Sequence, residues 1–189
     1  MSSQPHSTPA RIELRLHELN QLFNSMDPSP FFDKDLDEDA EEFIVGWAEE
    51  LPHDRPLELV VYLAKPPDCA TTFGREDAQR TGDDPQPLVQ ESVQNYFAHK
   101  MAHARREFSQ LMRRGRTSLL IGLLFLAACL TISRLFDVEE PTTFFFRESL
   151  IIVGWVAMWR PLEIFLYDWW PIRARWKLYR RLSAMTARV

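Results

Sequence analysis

Charged side chains inside an apolar, tryptophan-rich stretch are the most chemically suggestive feature of this sequence. Arg160, Glu163 and Asp168 lie between the apolar run that begins at Ser149 and the proline at Pro171. A charge at the centre of a bilayer costs about 2.5–3.5 kcal/mol on insertion scales, so such residues pair with one another or mark a functional site. The i, i+3 spacing predicts that Arg160 and Glu163 share one helix face.

Aromatic residues surround these charges, and we predict that they mark a membrane–water interface. They are Trp155, Trp159, Tyr167, Trp169 and Trp170. Two placements of a membrane span remain open. A span over 149–170 puts Arg160 near the bilayer midplane, whereas one over 143–161 puts it among the headgroups, where its side chain snorkels. Pro161 permits the bend that the second placement needs, because proline removes a backbone hydrogen bond.

A second candidate site is a pair of histidines one helical turn apart. His99 and His103 are spaced i, i+4 with Glu107 a further turn along, and these residue types can bind zinc. The sequence HKMAH lacks the HExxH pattern, and we favour a solvated helix face over a metal site. Nucleophile, phosphate-loop and dinucleotide motifs are missing from the sequence, which therefore predicts neither an enzyme nor a cofactor.

Two apolar segments must position the charged cluster. Residues 117–133 read TSLLIGLLFLAACLTIS, and extension to Phe136 gives 20 residues. That length makes about 30 Å of helix, the thickness of a hydrocarbon core. Apolar side chains cover every face, which disfavours a buried helix of a soluble protein. We predict a transmembrane hairpin with spans at 117–136 and 144–166, joined by a short external link at 137–143.

Charge is divided unevenly along the chain. The net charge is -5, but residues 1–99 carry −13 and residues 100–189 carry +8. Basic residues flank the predicted hairpin and acids dominate its link, so the positive-inside rule places both termini in the cytoplasm. The flanking residues predicted to contact lipid headgroups are Arg113, Arg114, Arg116, Arg173, Arg175, Lys177, Arg180 and Arg181.

The tail, residues 167–189, has the pattern of a basic amphipathic helix. We predict that it lies on an anionic lipid leaflet, a partner favoured over nucleic acid by the neighbouring tryptophans. Contact with the acidic front of the chain is the alternative, which salt would weaken.

Residues 11–116 are predicted to form a small cytoplasmic α+β domain behind a disordered segment, 1–10. Apolar spacing between Ala10 and Met26 favours a helix over a strand. The DKDLDEDAEEFI segment fails as a calcium loop, because Glu38 stands where that loop needs glycine. We predict instead that Asp35 or Asp37 caps a helix. That helix should run to about residue 51 with one apolar face, made of Ala40, Phe43, Ile44, Trp47 and Leu51.

The clearest strand, residues 57–64, needs a partner for its backbone groups. Candidates are Arg11–Leu16, the 65–85 region or a second subunit, so self-association into a homo-oligomer would satisfy it. Further along, apolar residues recur at helical spacing with no strong breaker, which predicts one long helix over 87–136 and a rigid link into the first span.

Three segments, NSMDPSPFFDKDLDEDAEEFIVGWAEELP, RTSLLIGLLFLAACL and GWVAMWRPLEIFLYDWWP, together resemble a group of small bacterial inner-membrane proteins with two spans. The resemblance implies a mainly α fold and a bacterial inner-membrane setting, and it carries no activity or functional residue. The sequence therefore predicts a membrane-anchored cytoplasmic binding or scaffold module with an unidentified protein partner. Alternatives are an oligomeric channel or transporter subunit using Arg160 and Glu163, and a membrane-bound metalloenzyme.

Overall fold

The computed structural model describes residues 8–29, 34–66, 84–134 and 141–189. It is mostly helical, 69%, with a small parallel three-stranded sheet. The elements in chain order are β1 (Ala10–Leu16), a 3₁₀ turn (Leu19–Leu22), α1 (Glu38–Glu50), β2 (Leu57–Leu63), α2 (Pro85–Ser133), α3 (Pro141–Ala157), α4 (Trp159–Glu163), a π-helical turn (Ile164–Asp168), α5 (Trp169–Ser183) and β3 (Thr186–Arg188).

The chain divides into two compact units. Unit 1 contains the described residues up to His103 together with Arg175–Val189, and unit 2 is Ala104–Ala174. Unit 1 thus differs from the predicted domain 11–116 by including the last fifteen residues of the chain. The predicted link 137–143 and the end of the predicted first span lie partly outside the described residues.

The sheet of unit 1 places β2 between β1 and β3, with both neighbours parallel to it. Ala10 pairs with Leu57 at the start of the β1–β2 ladder. Glu58 pairs with Thr186 at the start of the β2–β3 ladder. Of the predicted partners for β2, the segment Arg11–Leu16 is confirmed. The second partner, β3, comes from the C-terminus and was not expected.

The predicted helix between Ala10 and Met26 is wrong, because that segment begins with β1. Its residues alternate, with Ile12 and Leu14 buried while Arg11 and Glu13 are exposed. The apolar residues after the strand belong to the 3₁₀ turn and its end, not to a continuous helix. Pairing with β2 supplies backbone hydrogen bonds that outweigh the weak helical spacing.

Helix α1 begins where the acidic run predicted it. Asp37 is the N-cap, and its carboxylate accepts a hydrogen bond from the Asp39 amide at 3.1 Å. The predicted apolar face is confirmed at Ala40 and Ile44, which are buried, and Leu51 packs against the core. It is wrong at its two aromatic positions, and Ala48 is buried instead. The two aromatic residues of the predicted face point outward, Phe43 38% exposed and Trp47 47% exposed. An i, i+4, i+8 stripe containing alanines permits the helix to pack closely on its neighbours.

The core of unit 1 combines residues from helix α2 with residues near the C-terminus. Val89, Val93 and Phe97 of α2 are fully buried in it, and so are Leu182 of α5 and Met185 after it. The C-terminal segment from Arg175 is therefore part of a packed domain. For this segment, the alternative prediction of contact with the acidic front of the chain is confirmed.

Unit 2 contains the later part of α2, all of α3 and α4, the π-helical turn and the first residues of α5. Helix α2 is uninterrupted from Pro85 to Ser133, which confirms the helix predicted over 87–136 as far as Ser133. The last two residues of that prediction, 135–136, lie outside the described residues. Two helical runs are long and apolar enough to cross a membrane, α2 and Thr142–Ser183. Only 17% and 22% of their apolar windows are buried within the protein, so neither run is a core helix of this fold.

Candidate functional site

Glycines set the spacing between the two helices of unit 2. A Cβ added at Gly122 would lie 3.1 Å from Met158 Sδ and 3.4 Å from the Ala157 carbonyl oxygen. One added at Gly154 would lie 2.9 Å from Leu126 Cδ1 and 3.2 Å from Cys129 Cβ. Small residues at helix contacts allow the close backbone approach that membrane helices use in place of the hydrophobic effect.

On α2 these contacts follow a heptad. Gly115, Gly122 and Cys129 are spaced by seven residues and are all buried. A Cβ at Gly115 would come within 2.9 Å of Ile164 Cγ2 in the π-helical turn. The stripe thus faces α3, α4 and the turn over its whole length. This stripe was not predicted, although the seven-residue spacing of its small residues is visible in the sequence.

The second helical run is interrupted at Met158, between α3 and α4. The Met158 amide donates to the Trp155 carbonyl at 3.0 Å, a bond that closes a tighter turn than an α-helix has. Pro161 has no amide to donate to Ala157, which leaves that carbonyl facing Gly122. The interruption therefore lies where Pro161 predicted a bend.

The structure brings the three charged residues together. Arg160 Nη1 lies 2.7 Å from Glu163 Oε2, and Arg160 Nη2 lies 3.9 Å from Asp168 Oδ2. The Arg160 side chain is 66% exposed and that of Glu163 42% exposed, so the protein leaves this cluster open on one side. The i, i+3 pairing is confirmed. The span over 149–170 contains both residues of this ion pair, whereas the span over 143–161 contains only Arg160.

A π-helical turn, Ile164–Asp168, carries Asp168 toward Arg160. The Trp169 indole Nε1 donates to the Phe165 carbonyl at 2.8 Å, which satisfies an oxygen inside the widened turn. Single π-helical turns are frequent at functional sites. The turn and the guanidinium together make a small polar patch on an otherwise apolar helix.

The aromatic residues predicted to lie at an interface remain accessible. Trp155, Trp159, Tyr167 and Trp170 are between 64% and 73% exposed. Trp169 is half-buried, its ring 5.7 Å from that of Trp170 and 5.4 Å from the Arg173 guanidinium. Such a surface of exposed indole rings beside a cation suits a headgroup region.

Seven of the eight basic residues predicted to contact headgroups are exposed: Arg113, Arg114, Arg116, Arg173, Arg175, Lys177 and Arg180. Arg181 has another partner. Its guanidinium donates to the Pro52 carbonyl at 2.8 Å and the Ala48 carbonyl at 3.3 Å, and lies 2.9 Å from His53 Nδ1. These are groups at and just beyond the C-terminus of α1, so Arg181 serves as a cationic cap there. The headgroup prediction then rests on the other seven residues.

The histidine pair lies on the unit 1 portion of α2. His99 and His103 are exposed and Glu107 is half-buried. Within the described ranges, no group of three or more His, Cys, Asp and Glu side chains is placed to hold a metal ion. Cys129 is a buried free thiol in the stripe of α2.

A polar cluster fixes α1 against the start of α2. The Tyr96 hydroxyl donates to the Glu41 carboxylate, which also forms an ion pair with Lys100 Nζ at 3.0 Å. Burial, and then the Glu41 carboxylate, raises the pKa of Tyr96 above its usual range. The cluster therefore joins α1 to α2 by a hydrogen bond and an ion pair.

Unit 1 also contains a groove that was not predicted from the sequence. It has a volume of about 530 Å³ and lies beside the outer edge of β1. It is lined by Arg11, Glu13, Leu14, Arg15, Phe43 and Trp47. The exposed aromatic residues of α1 thus meet an edge strand, an arrangement that accommodates an added extended segment.

Comparisons with protein-family models, with curated proteins and with solved structures each found no match. The structure shows a mostly helical chain with two helices long and apolar enough to cross a membrane, and a small parallel sheet with a groove beside its β1 edge.

Proposed function

We propose that this chain is a membrane-anchored binding or scaffold module of the bacterial inner membrane. In this proposal the helices of unit 2 form a hairpin in the bilayer, and unit 1 is a folded cytoplasmic domain that presents the groove. The observation that carries the proposal is the exposure of both long apolar helices within a protein whose unit 1 has a closed core.

The apolar surface of unit 2 supports the anchoring role. Large side chains on α2 are solvent-facing over consecutive turns, including Leu120 at 60%, Ile121 at 62% and Leu124 at 64%. A soluble monomer rarely exposes a contiguous apolar patch larger than a few hundred Å². Lipid tails would cover this surface, while the glycine stripe holds the two helices together.

The distribution of charge supports the orientation. Basic residues lie just before the first apolar segment and just after the second, and Arg113, Arg114 and Arg116 are exposed. Juxtamembrane cations are retained on the cytoplasmic side and attract anionic lipid. Unit 1 then faces the cytoplasm together with both chain termini.

Insertion is tested by placing charges on the lipid-facing surface. Leu120→Arg combined with Leu124→Arg should move the protein from the alkali-resistant membrane fraction to the soluble or aggregated fraction. On insertion scales an arginine costs up to about 2.5–3.5 kcal/mol, the value for the centre of a span. The matched control is the pair Leu120→Ala and Leu124→Ala, which keeps the segment apolar. If the unaltered protein is soluble without detergent, the anchoring proposal fails.

Orientation is tested separately with reporters on intact cells. Tags at the N-terminus and at the C-terminus should both be inaccessible from the periplasm. A cysteine at an exposed position near the hairpin turn should react with an impermeant thiol reagent. Labelling of either terminus from outside would overturn the cytoplasmic placement of unit 1.

A subunit of an oligomeric channel or transporter is the second candidate. The Arg160–Glu163 pair, exposed on the helix surface, favours it, because intramembrane charges often line ion or substrate paths. Two spans per chain cannot enclose a pore, so several subunits are needed. Native mass measurement in mild detergent should then show an assembly larger than a dimer, and monomers or dimers alone would exclude this candidate.

A further inference from the structure

The two edges of the unit 1 sheet differ in how their backbone groups are satisfied. At β3, the Gln90 side chain donates to the Met185 carbonyl at 3.0 Å and accepts a hydrogen bond from the Ala187 amide. Gln94 donates to the same Met185 carbonyl at 3.1 Å. These glutamines take the place of a further strand, so this edge is closed.

The edge at β1 is open in the part of the chain that the structure describes. The Ala10 amide donates to Pro56 and the Leu16 carbonyl accepts from Ala64, so even-numbered residues of β1 direct their backbone groups toward β2. Successive residues of a strand alternate in this respect. The amide and carbonyl groups of Arg11, Glu13 and Arg15 therefore point outward, as an edge that can bind another strand.

Aromatic side chains flank this edge on the side of the core. Phe43 and Trp47 of α1 line the groove with Leu14, and their ring centroids are 6.1 Å apart. A strand added to β1 would gain backbone hydrogen bonds and cover both rings. Phe and Trp are among the residues that contribute most to interfaces when they are covered.

We propose that the occupant of this groove is β1 of a second copy of the chain, paired antiparallel to the first with Leu14 opposite Leu14. The proposal concerns unit 1 alone and stands whether or not unit 2 enters a membrane. It rests on the charge pattern of β1, whose exposed side chains are those of Arg11, Glu13 and Arg15.

Charge complementarity selects the register. In an antiparallel pair across this edge, residues whose backbone groups point away from β2 must lie opposite each other. A register centred on Glu13 opposes Glu13 to Glu13 and Arg11 to Arg15, which places like charges together. A register centred on Leu14 opposes Glu13 to Arg15 twice, once on each side of the two-fold axis. Directly opposed opposite charges stabilise an antiparallel pair and like charges destabilise it.

The groove distinguishes between the two registers that charge permits. Centring on Ile12 would also avoid like charges, but Ile12 is fully buried and does not line the groove, whereas Leu14 does. With Leu14 at the axis, the two α1 helices lie on the same side of the joined sheet, where their Phe43 and Trp47 residues meet. The dimer is closed, because each outer edge is then a β3 already satisfied by Gln90.

Charge reversal gives a direct test on the full-length protein in mild detergent, with mass measured by light scattering. Glu13→Arg and Arg15→Glu should each weaken self-association by about tenfold or more, since each replaces two attractive pairs with two repulsive ones. The double variant restores complementarity and should dimerise like the unaltered protein. A mixture of the two single variants should form heterodimers, which a folding defect cannot produce.

A cysteine scan tests the register, using a background in which Cys69→Ser and Cys129→Ala remove the native thiols. Leu14→Cys should form an intermolecular disulfide under mild oxidation, because directly opposed residues of a non-hydrogen-bonded pair have Cα atoms about 4.5 Å apart. Glu13→Cys and Ile12→Cys should not, because each would lie a diagonal step or more from its own copy, beyond about 7 Å.

Three results would overturn the proposal. One is a protein that stays monomeric at every concentration, whether or not its groove binds an unrelated extended peptide. Another is a dimer whose mass is unaffected by either charge reversal, since its interface would then lie elsewhere. The third is a disulfide at position 12 or 13 in place of position 14. Rescue by the double variant together with the position 14 disulfide would support it.

Discussion

Arg188, the penultimate residue, forms an ion pair with Glu58 across neighbouring strands, with Nε and Oε1 2.9 Å apart. The Glu58 side chain is only 3% exposed and is also bound by Arg11 Nε at 2.8 Å. One buried carboxylate therefore joins all three strands. It ties the beginning and the end of the chain to the middle strand.

Replacing this carboxylate should destabilise unit 1. Glu58→Gln keeps the shape of the side chain but removes the charge that both guanidinium groups face, and should lower the free energy of unfolding by about 1–3 kcal/mol. Denaturant titration of the full-length protein in detergent micelles provides the measurement. Glu49→Gln, at an exposed position of α1, is the matched control and should change little. An equal loss in both variants would mean that the pairing carries no special stability.

The cap formed by Arg181 predicts a local effect. Arg181→Met retains the apolar stem but removes the hydrogen bonds to the end of α1, and should cost about 1–2 kcal/mol. Amide hydrogen exchange should accelerate in the last turn of α1. Lys177→Met, which removes an exposed charge from the same helix, should leave that exchange unchanged. If Arg181 acts only on lipid, both variants will weaken vesicle binding and neither will affect α1.

The glycine stripe predicts a packing defect in unit 2. Gly122→Leu and Gly154→Leu would each force a side chain into space already occupied by the facing helix, where an added Cβ meets atoms at 3.1 Å and 2.9 Å. Overpacking of this kind costs about 1–3 kcal/mol and should lower the thermal midpoint in detergent. Ala128→Leu, at an exposed position of the same helix, is the control. Wild-type midpoints for the two glycine variants would show that the helices do not touch there.

The hydrogen bond from Tyr96 to Glu41 predicts a pH dependence. Burial raises the pKa of Tyr96, so its stabilising contribution is complete below the pKa of an unfolded tyrosine, about 10, and decreases as pH rises above that value. Tyr96→Phe should cost about 1 kcal/mol at pH 8. By pH 11 the difference from the unaltered protein should shrink by about 1 kcal/mol. A difference in the free energy of unfolding that stays constant or widens with pH would contradict the burial of the phenol. Tyr62→Phe, at an exposed tyrosine, is the control for the general effect of alkali.

Local sequence determined the elements whose period or chemistry needs no distant partner. Asp37 caps α1 because its carboxylate reaches an amide two residues along the chain. The long α2 and the two apolar helical runs follow from continuous patterns over many residues. The i, i+3 spacing of Arg160 and Glu163 fixed their ion pair within one helix.

Tertiary structure alone decided the features that join distant segments. The residues of β1 have spacing that suits a helix or a strand, and pairing with β2 selected the strand. The last residues form β3 because β2 offers hydrogen bonds on one side and glutamine side chains of α2 offer them on the other. These glutamines, Gln90 and Gln94, lie 95 and 91 positions from Met185 in the chain. In a similar way, contacts with the end of α1 make Arg181 a helix cap, although its place on a basic amphipathic helix predicted contact with lipid headgroups. Local periodicity cannot encode such choices, because their free energy comes from partners that only the folded chain brings together.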